Sequence, residues 1–315
     1  MIKLSIIVPF YNVELYIEQC IRSLYNQDLP QSEFEVICVD DCSPDNSRSI
    51  VERLQLEFNT LHLICNKTNL KLGGARNAGL RAAHGKYVWF VDSDDYVLPN
   101  CLGKILREFE SADLDFVHFN NLIYENCTLV KDCGYAPFDS EILSGIDLFL
   151  SEKMPWQISH VVAWNKIYSR SFLLKNELCF MENAMYEDND FCFRLHYHAQ
   201  KVKHINVDAY VYRINDQSIT HSKGNATIKC FYQIKVLWKL IGVYNKIKSN
   251  CNRDYLLVLY NFISWIIERI CQYFCDNEGE QLQLLKKEFR LRMKFIFPFC
   301  SKKQFIRLFF QVYSL

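Results

Sequence analysis

The stretch YVWFVDSDD, residues 87–95, is the clearest indication of the fold in this chain. It begins as a short apolar run rich in aromatic and β-branched residues, which is typical of a buried β-strand. It ends in the polar group Asp92-Ser93-Asp94-Asp95. Because ligands of open parallel sheets bind beyond the carboxyl ends of the strands, the stretch predicts a strand whose acidic end faces a binding crevice.

Runs of the same character predict the other strands of this sheet, at residues 4–8, 36–39, 61–65 and 116–119. Amphipathic segments separate the runs and predict crossover helices. Two of these segments, 16–24 and 50–58, place their apolar side chains on one helical face, and Pro99 is predicted to open a further helix. The alternation predicts an α/β fold, with a mostly parallel sheet and helices on both faces.

The pattern changes twice further along the chain. Between Lys131 and Lys153 it weakens into a stretch with Gly, Pro and acidic residues, which predicts a long surface connection. After Asn225 helical periodicity dominates, so we place a domain boundary there. The predicted organisation is an α/β domain over residues 1–225 and a helical region over residues 226–315.

The composition is that of an enzyme-sized folded chain. Of its 315 residues 50% are hydrophobic, which is enough for a large core without disulfides or structural metal. Lys+Arg and Asp+Glu each number 36, so the charge balance predicts no nucleic-acid partner. The 14 cysteines include no Cys-x-x-Cys pair and are interpreted as reduced thiols. With no signal-peptide pattern and no apolar stretch of about 20 residues, we expect a cytoplasmic protein.

Residues 286–315 combine eight basic side chains with seven phenylalanines and a single acid. One interpretation is a segment that attaches the protein peripherally to an anionic membrane surface. The other is a helical cap whose aromatic rings pack on the catalytic domain while its charges face water. Sequence alone leaves both open.

Acidic residues follow other predicted strands as well, at Asp40-Asp41 and, a little further from its strand, at Glu14. The carboxyl ends of neighbouring parallel strands meet at one edge, so these acids should converge. Clustered carboxylates raise one another's pKa unless a cation compensates them. A hard divalent ion bound by Asp92, Asp94 and substrate phosphate oxygens would do so. The alternative is a set of solvated turn acids and helix caps.

Between these acids lies LGGARNAG, residues 72–79, which leads into a small-residue helix. Its glycines permit a close approach of the backbone to a ligand or a strand, and Arg76 adds a cation able to face a diphosphate. A glycine-rich helix packed tightly on the sheet is the simpler interpretation of the same residues.

Six segments, taken in order and spacing, resemble the signature of family 2 glycosyltransferases. They are Pro9-Phe10-Tyr11-Asn12, Asp40-Asp41-Cys42-Ser43, Gly74-Ala75-Arg76-Asn77-Ala78-Gly79, Asp92-Ser93-Asp94-Asp95, Trp164-Asn165-Lys166-Ile167-Tyr168 and Glu187-Asp188. The resemblance covers about residues 3–220. It implies the GT-A fold, a mixed and mostly parallel sheet, here followed by a C-terminal helical extension.

The resemblance also implies a role for each matching residue. Asp41 would read the nucleobase of a nucleotide-sugar donor, and Asp188 would be the catalytic base. The rest of the donor pocket would be formed by Pro9, Tyr11, Glu14, Arg76, Asp92 and Ser93. Asp94 and Asp92 would hold Mg²⁺ or Mn²⁺. The structural alternatives are a core position for Tyr11, a helix cap for Asp41 and a helix start for Glu187-Asp188.

Three further residues have roles implied by the resemblance that are less specific. Trp164 would stack on the acceptor sugar, or else brace the turn at Asn165-Lys166, and Glu187 would contact the acceptor. Tyr212-Arg213 and residues 218–221 resemble the segment that closes over the donor. His221 within it would join the metal or touch the diphosphate, although a lone histidine is more often structural.

The implied activity is inverting transfer of a sugar, with a UDP-sugar as the default donor, onto a hydroxyl of a glycan or lipid-linked acceptor in bacterial surface polysaccharide synthesis. The residue types fit, since a single displacement needs a base on the acceptor side and a Lewis acid on the departing diphosphate. The alternative is a catalytically silent nucleotide- or glycan-binding scaffold. A nucleotidyltransferase or a dinucleotide-dependent oxidoreductase would carry a Gly-rich turn after the first strand, where this chain has Pro9-Phe10-Tyr11-Asn12.

Overall fold

The computed structural model describes residues 2–131, 139–151, 161–214, 226–276, 280–290 and 292–299. The chain forms two compact units, Met1–Asn215 and Asp216–Leu315. The domain boundary predicted at residue 225 stays a prediction, because residues 215–225 lie outside the described part of the chain.

Within the described residues of the first unit, nine strands form one mixed sheet in the order β3-β2-β1-β4-β8-β6-β9-β5, with β7 paired to β6. The strands are β1 Leu4–Phe10, β2 Phe34–Asp40, β3 Leu61–Cys65, β4 Tyr87–Phe90, β5 Tyr96–Val97, β6 Phe116–Glu125, β7 Thr128–Lys131, β8 Lys166–Ser169 and β9 Val202–Arg213. The helices of this unit are α1 Ile17–Tyr25, α2 Ser47–Leu54, α3 Lys71–Ala82, α4 Leu102–Ala112, α5 Gly145–Ser151, α6 Arg170–Lys175 and α7 Glu187–His198.

The run β3-β2-β1-β4 is parallel throughout, and its strands β1, β2 and β4 are buried along their whole length. Side chains of β1 alternate between the two faces, as the period of a strand requires. Ile6 and Val8 face a core completed by α1, α2 and α4, whereas Ile7 faces a core completed by α3, α6 and α7. The predicted sheet with helices on both faces is confirmed, and its carboxyl edge carries the ends of β1, β2 and β4.

The sequence did not predict strands β8 and β9. Strand β8 is antiparallel to both β4 and β6 and lies between them. It begins with Lys166, which is fully buried, so its apolar run is too short to be recognised. Strand β9 is parallel to β6 through an irregular register, and its polar residues hide the alternation.

The surface connection predicted over residues 131–153 is wrong for part of its length. Residues Gly145–Ser151 form α5, and its side chains Leu148 and Phe149 are buried. Phe149 packs against Phe193 of α7. A helix of seven residues is too short to show a periodic pattern, which is why the prediction failed here. The helix that was predicted to open at Pro99 is α4, and it begins at Leu102.

The second unit is helical, as predicted, with α8 Ala226–Ile247, α9 Arg253–Asp276 and α10 Glu280–Arg290 followed by two short 3₁₀ turns. In the described residues no helix has the length and apolar character needed to cross a membrane. Phe289 and Phe299 are buried and contact aromatic residues of α8 and α9, while Phe295 is half exposed. Packing of these rings on the catalytic domain stays a prediction. Residues 300–315, which hold the remaining basic and aromatic side chains, lie outside the described residues.

Gly79 allows helix α3 to pack close to strand β1. A Cβ added at this glycine would clash with Cγ2 of Ile7, a fully buried side chain. We therefore expect Gly79→Ala to lower the free energy of unfolding by about 1–3 kcal/mol, since overpacking costs more than the helix propensity of alanine returns.

Gly242→Ala is the matched control for this substitution. Gly242 lies within α8, and no atom of the described residues would come within 4 Å of its added Cβ. This variant should gain roughly 0.5–1 kcal/mol from helix propensity alone. Urea unfolding followed by circular dichroism measures both variants, and a Gly79→Ala protein as stable as the Gly242→Ala protein would contradict the tight packing of α3 on β1.

Candidate active site

The acidic residues after β4 form a tight turn. Its backbone is closed by a hydrogen bond that the Asp95 amide donates to the Asp92 carbonyl, at 3.2 Å. Asp95 is 1% exposed, and its carboxylate accepts from the Tyr210 hydroxyl at 2.7 Å and from the Arg213 amide at 2.8 Å. Both donors lie on β9, so Asp95 fastens the turn to that strand while Asp92 and Asp94 remain partly exposed.

A buried arginine connects this turn to α7. Arg76 of α3 is 1% exposed and donates to Asp92 Oδ1 at 2.6 Å and to Glu187 Oε1 at 2.7 Å. Burial lowers the pKa of Arg76, but Asp92 and then Glu187 raise it by more, so the guanidinium stays charged. It also lies over the ring of Phe180, 5.1 Å from its centroid.

This pairing bears on two roles expected from the sequence, both of which stay predictions. The side-chain nitrogens of Arg76 that form hydrogen bonds point at carboxylates of the protein, so the arrangement does not support the expected contact with a diphosphate. Glu187 begins α7 and is 4% exposed, and its carboxylate is committed to Arg76. The contact expected between Glu187 and an acceptor is therefore not supported either.

Asp188 lies in the first turn of α7, next to the Arg76 ion pair, and is half-buried. Burial and then the negative charge of Glu187 raise the pKa of Asp188 above the ordinary carboxylate value. Arg76 lowers that pKa, and Asp92 raises it further. The acidic turn therefore acts electrostatically on Asp188, although 95 positions of the sequence separate residues 93 and 188.

Asp94 has the environment of a carboxylate that lacks a counter-charge. Burial and then the neighbouring Asp92 raise the pKa of Asp94 to about 6, with Arg213 opposing them. No other residue of the described chain donates a hydrogen bond to its side chain. A divalent cation would supply the missing positive charge, so Asp94 and Asp92 fit the metal site that the sequence predicted.

The protein offers only part of such a site. Among the described residues, no group of three or more His, Cys, Asp or Glu side chains could hold a metal ion. Mg²⁺ is commonly bound by one or two carboxylates together with substrate phosphates, and the pair Asp92 and Asp94 matches that mode. His221, the third predicted ligand, lies outside the described residues.

Asp41 is placed beside the end of β1, where its amide donates to the Phe10 carbonyl at 3.0 Å. It is buried, and its Oδ1 accepts from the Asn66 side chain and the Leu70 amide, both at 2.8 Å. Leu70 directly precedes α3. The carboxylate therefore orders the loop before α3, and its expected contact with a nucleobase stays a prediction for Oδ2.

The other residues expected in the donor pocket have mixed placements. Tyr11 follows β1 and is 49% exposed, so the core alternative for this ring is excluded. Pro9 lies within β1 and is buried, and Ser93 is buried inside the acidic turn. Glu14 Oε2 accepts from the amide and the side chain of Asn46, at 2.9 and 2.8 Å, which places it at the start of α2. Donor contacts of these residues stay predictions.

Trp164 is a packing residue in this structure. Its ring is 4% exposed and stacks on Tyr210 at 4.4 Å with an interplanar angle of 13°. Its carbonyl accepts from Trp89 Nε1 at 2.6 Å. The bracing alternative is therefore favoured over stacking on an acceptor sugar, because the ring offers almost no free surface.

Sequence reasoning gave no role to Asp95 and overlooked Tyr210. The signal for Tyr210 is the alternation of aromatic residues in β9, since a buried tyrosine hydroxyl requires a polar partner and an acid is a natural one. Asp95 was visible in the acidic stretch, but spacing alone does not say which of three acids turns inward.

Comparisons with known proteins agree with this geometry. Residues 5–175, over half of the chain, match Glycosyl transferase family 2. The uncharacterized glycosyltransferase EpsJ of Bacillus subtilis (strain 168) is 33% identical over 228 residues, which cover 69% of this chain and 62% of EpsJ. The poly(ribitol-phosphate) beta-N-acetylglucosaminyltransferase TarS of Staphylococcus aureus (strain Mu50 / ATCC 700699) is 29% identical over 262 residues, which cover 82% of this chain and 43% of TarS. The match thus spans less than two thirds of either relative.

Solved structures show the same fold. The crystal structure of S. aureus TarS 1-349 in complex with UDP-GlcNAc has a TM-score of 0.70 at 22% identity, covering 98% of this chain and 87% of that one. The mannosyltransferase PcManGT from Pyrobaculum calidifontis, in complex with GDP-Man and Mn²⁺, has a TM-score of 0.54 at 15% identity. These likenesses show the GT-A fold, and with the family match over residues 5–175 the chain belongs to glycosyl transferase family 2.

Proposed function

We propose that this protein transfers a sugar from a nucleotide diphosphate donor, with inversion and with a divalent metal, to a hydroxyl of a glycan or lipid-linked acceptor. The proposal rests on one observation. Asp92 and Asp94 at the end of β4 and Asp188 at the start of α7 are partly exposed carboxylates, and burial, with the charge of Asp92 adding to it, raises the pKa of the other two. Carboxyl groups with a raised pKa, as Asp94 and Asp188 have here, are typical of a catalytic site.

Asp188 is the proposed general base. A base that removes a proton from an acceptor hydroxyl works best when its pKa lies near the working pH, and burial together with Glu187 raises the pKa of Asp188 in that direction. Arg76 holds Glu187 and Asp92 in place, which keeps the base at a fixed position relative to the acidic turn. A single displacement by the acceptor requires no nucleophile from the protein.

Asp94 and Asp92 are the proposed metal ligands, for Mg²⁺ or Mn²⁺. When bound, the ion supplies positive charge to the diphosphate that leaves. Asp41, Tyr11 and Pro9 lie at the ends of the neighbouring strands β1 and β2, where the nucleoside would bind. The TarS complexes with UDP and UDP-GlcNAc support a UDP-sugar as the first donor to test.

The acceptor is proposed to belong to a bacterial surface polysaccharide or a lipid-linked precursor, made on the cytoplasmic side of the membrane. Support comes from the relative TarS, whose name describes a poly(ribitol-phosphate) acceptor. Attachment of residues 286–315 to an anionic membrane surface stays a prediction from the sequence.

A panel of nucleotide sugars tests the proposed activity through metal-dependent release of the nucleotide. With Mn²⁺ present, we expect release from at least one UDP-sugar, and we expect Asp94→Asn to reduce it about 100-fold or more because a metal ligand is lost. Binding of donors without any release, in the presence of acceptor extracts, would instead support the silent scaffold.

Asp188→Asn separates catalysis from binding. The substitution keeps the shape of the side chain but removes the base, so we expect kcat to fall by about 10²–10⁴-fold while the Kd for UDP stays within a factor of a few. Single-turnover kinetics and calorimetric titration with UDP and Mn²⁺ measure the two effects. An equal loss of binding and turnover would contradict the assignment of Asp188 as the base.

Ionisation of the Asp188 carboxyl group should lower the stability of the folded protein. Its folded-state pKa is raised, so the stability that it contributes is present at low pH and is lost as the pH rises through that pKa. Asparagine stays neutral, so the Tm of Asp188→Asn should exceed that of the wild type at about pH 8, and the difference should vanish towards about pH 4.

Asp254→Asn, which removes an exposed carboxylate from α9, is the control for this measurement. Its Tm relative to the wild type should show little dependence on pH. A pH-independent difference for Asp188→Asn would mean that this carboxyl group gains no proton affinity on folding.

A further inference from the structure

The hydroxyl of Tyr210 connects the two ends of the acidic turn. It accepts a hydrogen bond from the Asp92 amide at 3.1 Å and donates one to Asp95 Oδ2 at 2.7 Å. One atom on β9 therefore fixes the first and the last residue of the turn that carries Asp94. Since the described residues give the Asp94 side chain no other anchor, the backbone of this turn determines where its carboxylate lies.

Tyr210 is itself held rigidly. It is fully buried, its ring stacks on Trp164, and it also meets Trp89 of β4 edge-on at 6.4 Å. The Trp164 carbonyl accepts from Trp89 Nε1, so both tryptophans are tied to each other as well. A hydroxyl on a ring locked by packing is a precise support for a functional group, because its own rotamer is fixed.

The opposite side of Asp95 is fixed to the same strand. Its Oδ1 accepts from the Arg213 amide, three residues beyond Tyr210. The guanidinium of Arg213 lies over the rings of Tyr16 and Tyr96, at 4.9 and 5.3 Å from their centroids. Strand β9 thus contacts the turn at two points, and both contacts converge on Asp95.

We propose that Tyr210 is a positioning residue for the diphosphate and metal end of the donor site. Its hydroxyl holds the 92–95 turn in the geometry in which the carboxylates of Asp92 and Asp94 bind one divalent cation together with a nucleoside diphosphate. This inference rests on the proposed function, and it gives Trp164 the task of supporting Tyr210.

Tyr210→Phe tests the inference, because it removes the hydroxyl and keeps the stacked ring. We expect the Kd for UDP in the presence of Mn²⁺ to rise about tenfold, the effect of losing roughly one well-placed hydrogen bond. The Kd for uridine, which lacks the diphosphate, should stay unchanged. Hydrogen exchange at the Asp92 amide should become faster, since that amide loses its acceptor.

Tyr25→Phe is the matched control. Its ring also stacks on an aromatic neighbour, Phe58, and its hydroxyl lies within hydrogen-bonding distance of Thr60, away from the acidic turn. This variant should lower the Tm to a similar extent and leave the Kd for UDP unchanged. The comparison separates positioning of the turn from a general loss of stability.

The outcomes distinguish the two levels of the proposal. If Tyr210→Phe binds UDP and Mn²⁺ as well as Tyr25→Phe does, the positioning role is wrong and the proposed function stands. If uridine and UDP lose affinity equally, the hydroxyl acts on the fold in general and the positioning role is again wrong. If the wild-type protein binds no nucleoside diphosphate with either metal, the proposed function fails and the positioning role fails with it.

Discussion

The ion pairs of one buried arginine organise the candidate site. Arg76 reaches from α3 to Asp92 at the end of β4 and to Glu187 at the start of α7. A buried charge costs several kcal/mol unless partners compensate it, so three elements must meet at the same point for any of them to be stable there. The two ion pairs fix the carboxyl edge of the sheet against α7, the helix that carries Asp188.

This arrangement divides the acids into two classes. Asp92 and Glu187 share the charge of Arg76, and Asp95 is held by two donors from β9. For Asp94 and Asp188 the nearby arginines offset burial and the neighbouring carboxylates only in part, and the pKa of each is raised. Sites that bind or transfer protons are commonly built in this way, with rigid surroundings and a few groups left in an unfavourable state.

The parallel half of the sheet could be predicted from sequence because its strands are apolar on both faces, as residues 36–39 show. The antiparallel strand β8 could not, because its first residue is a buried lysine, a residue type that is rarely buried and that shortens the apolar run to Ile167 and Tyr168. The protein partners of Arg76 could not be predicted either. Glu187 lies 111 residues away from it, and no local pattern shows that the two will pair. Residues near strand ends were found, but their orientations depended on such distant partners.

The position of β8 constrains how the chain acquires its structure. This strand separates β4 from β6 in the sheet, although it follows both of them in sequence. During synthesis on the ribosome, the segments of β4 and β6 that pair with β8 therefore lack that partner until residues 166–169 have emerged. Such long-range pairing slows folding, and open strand edges invite association between nascent chains. In the mature sheet, strand β8 joins the two halves. Before it has emerged, the first 165 residues form an intermediate that is prone to association with other nascent chains.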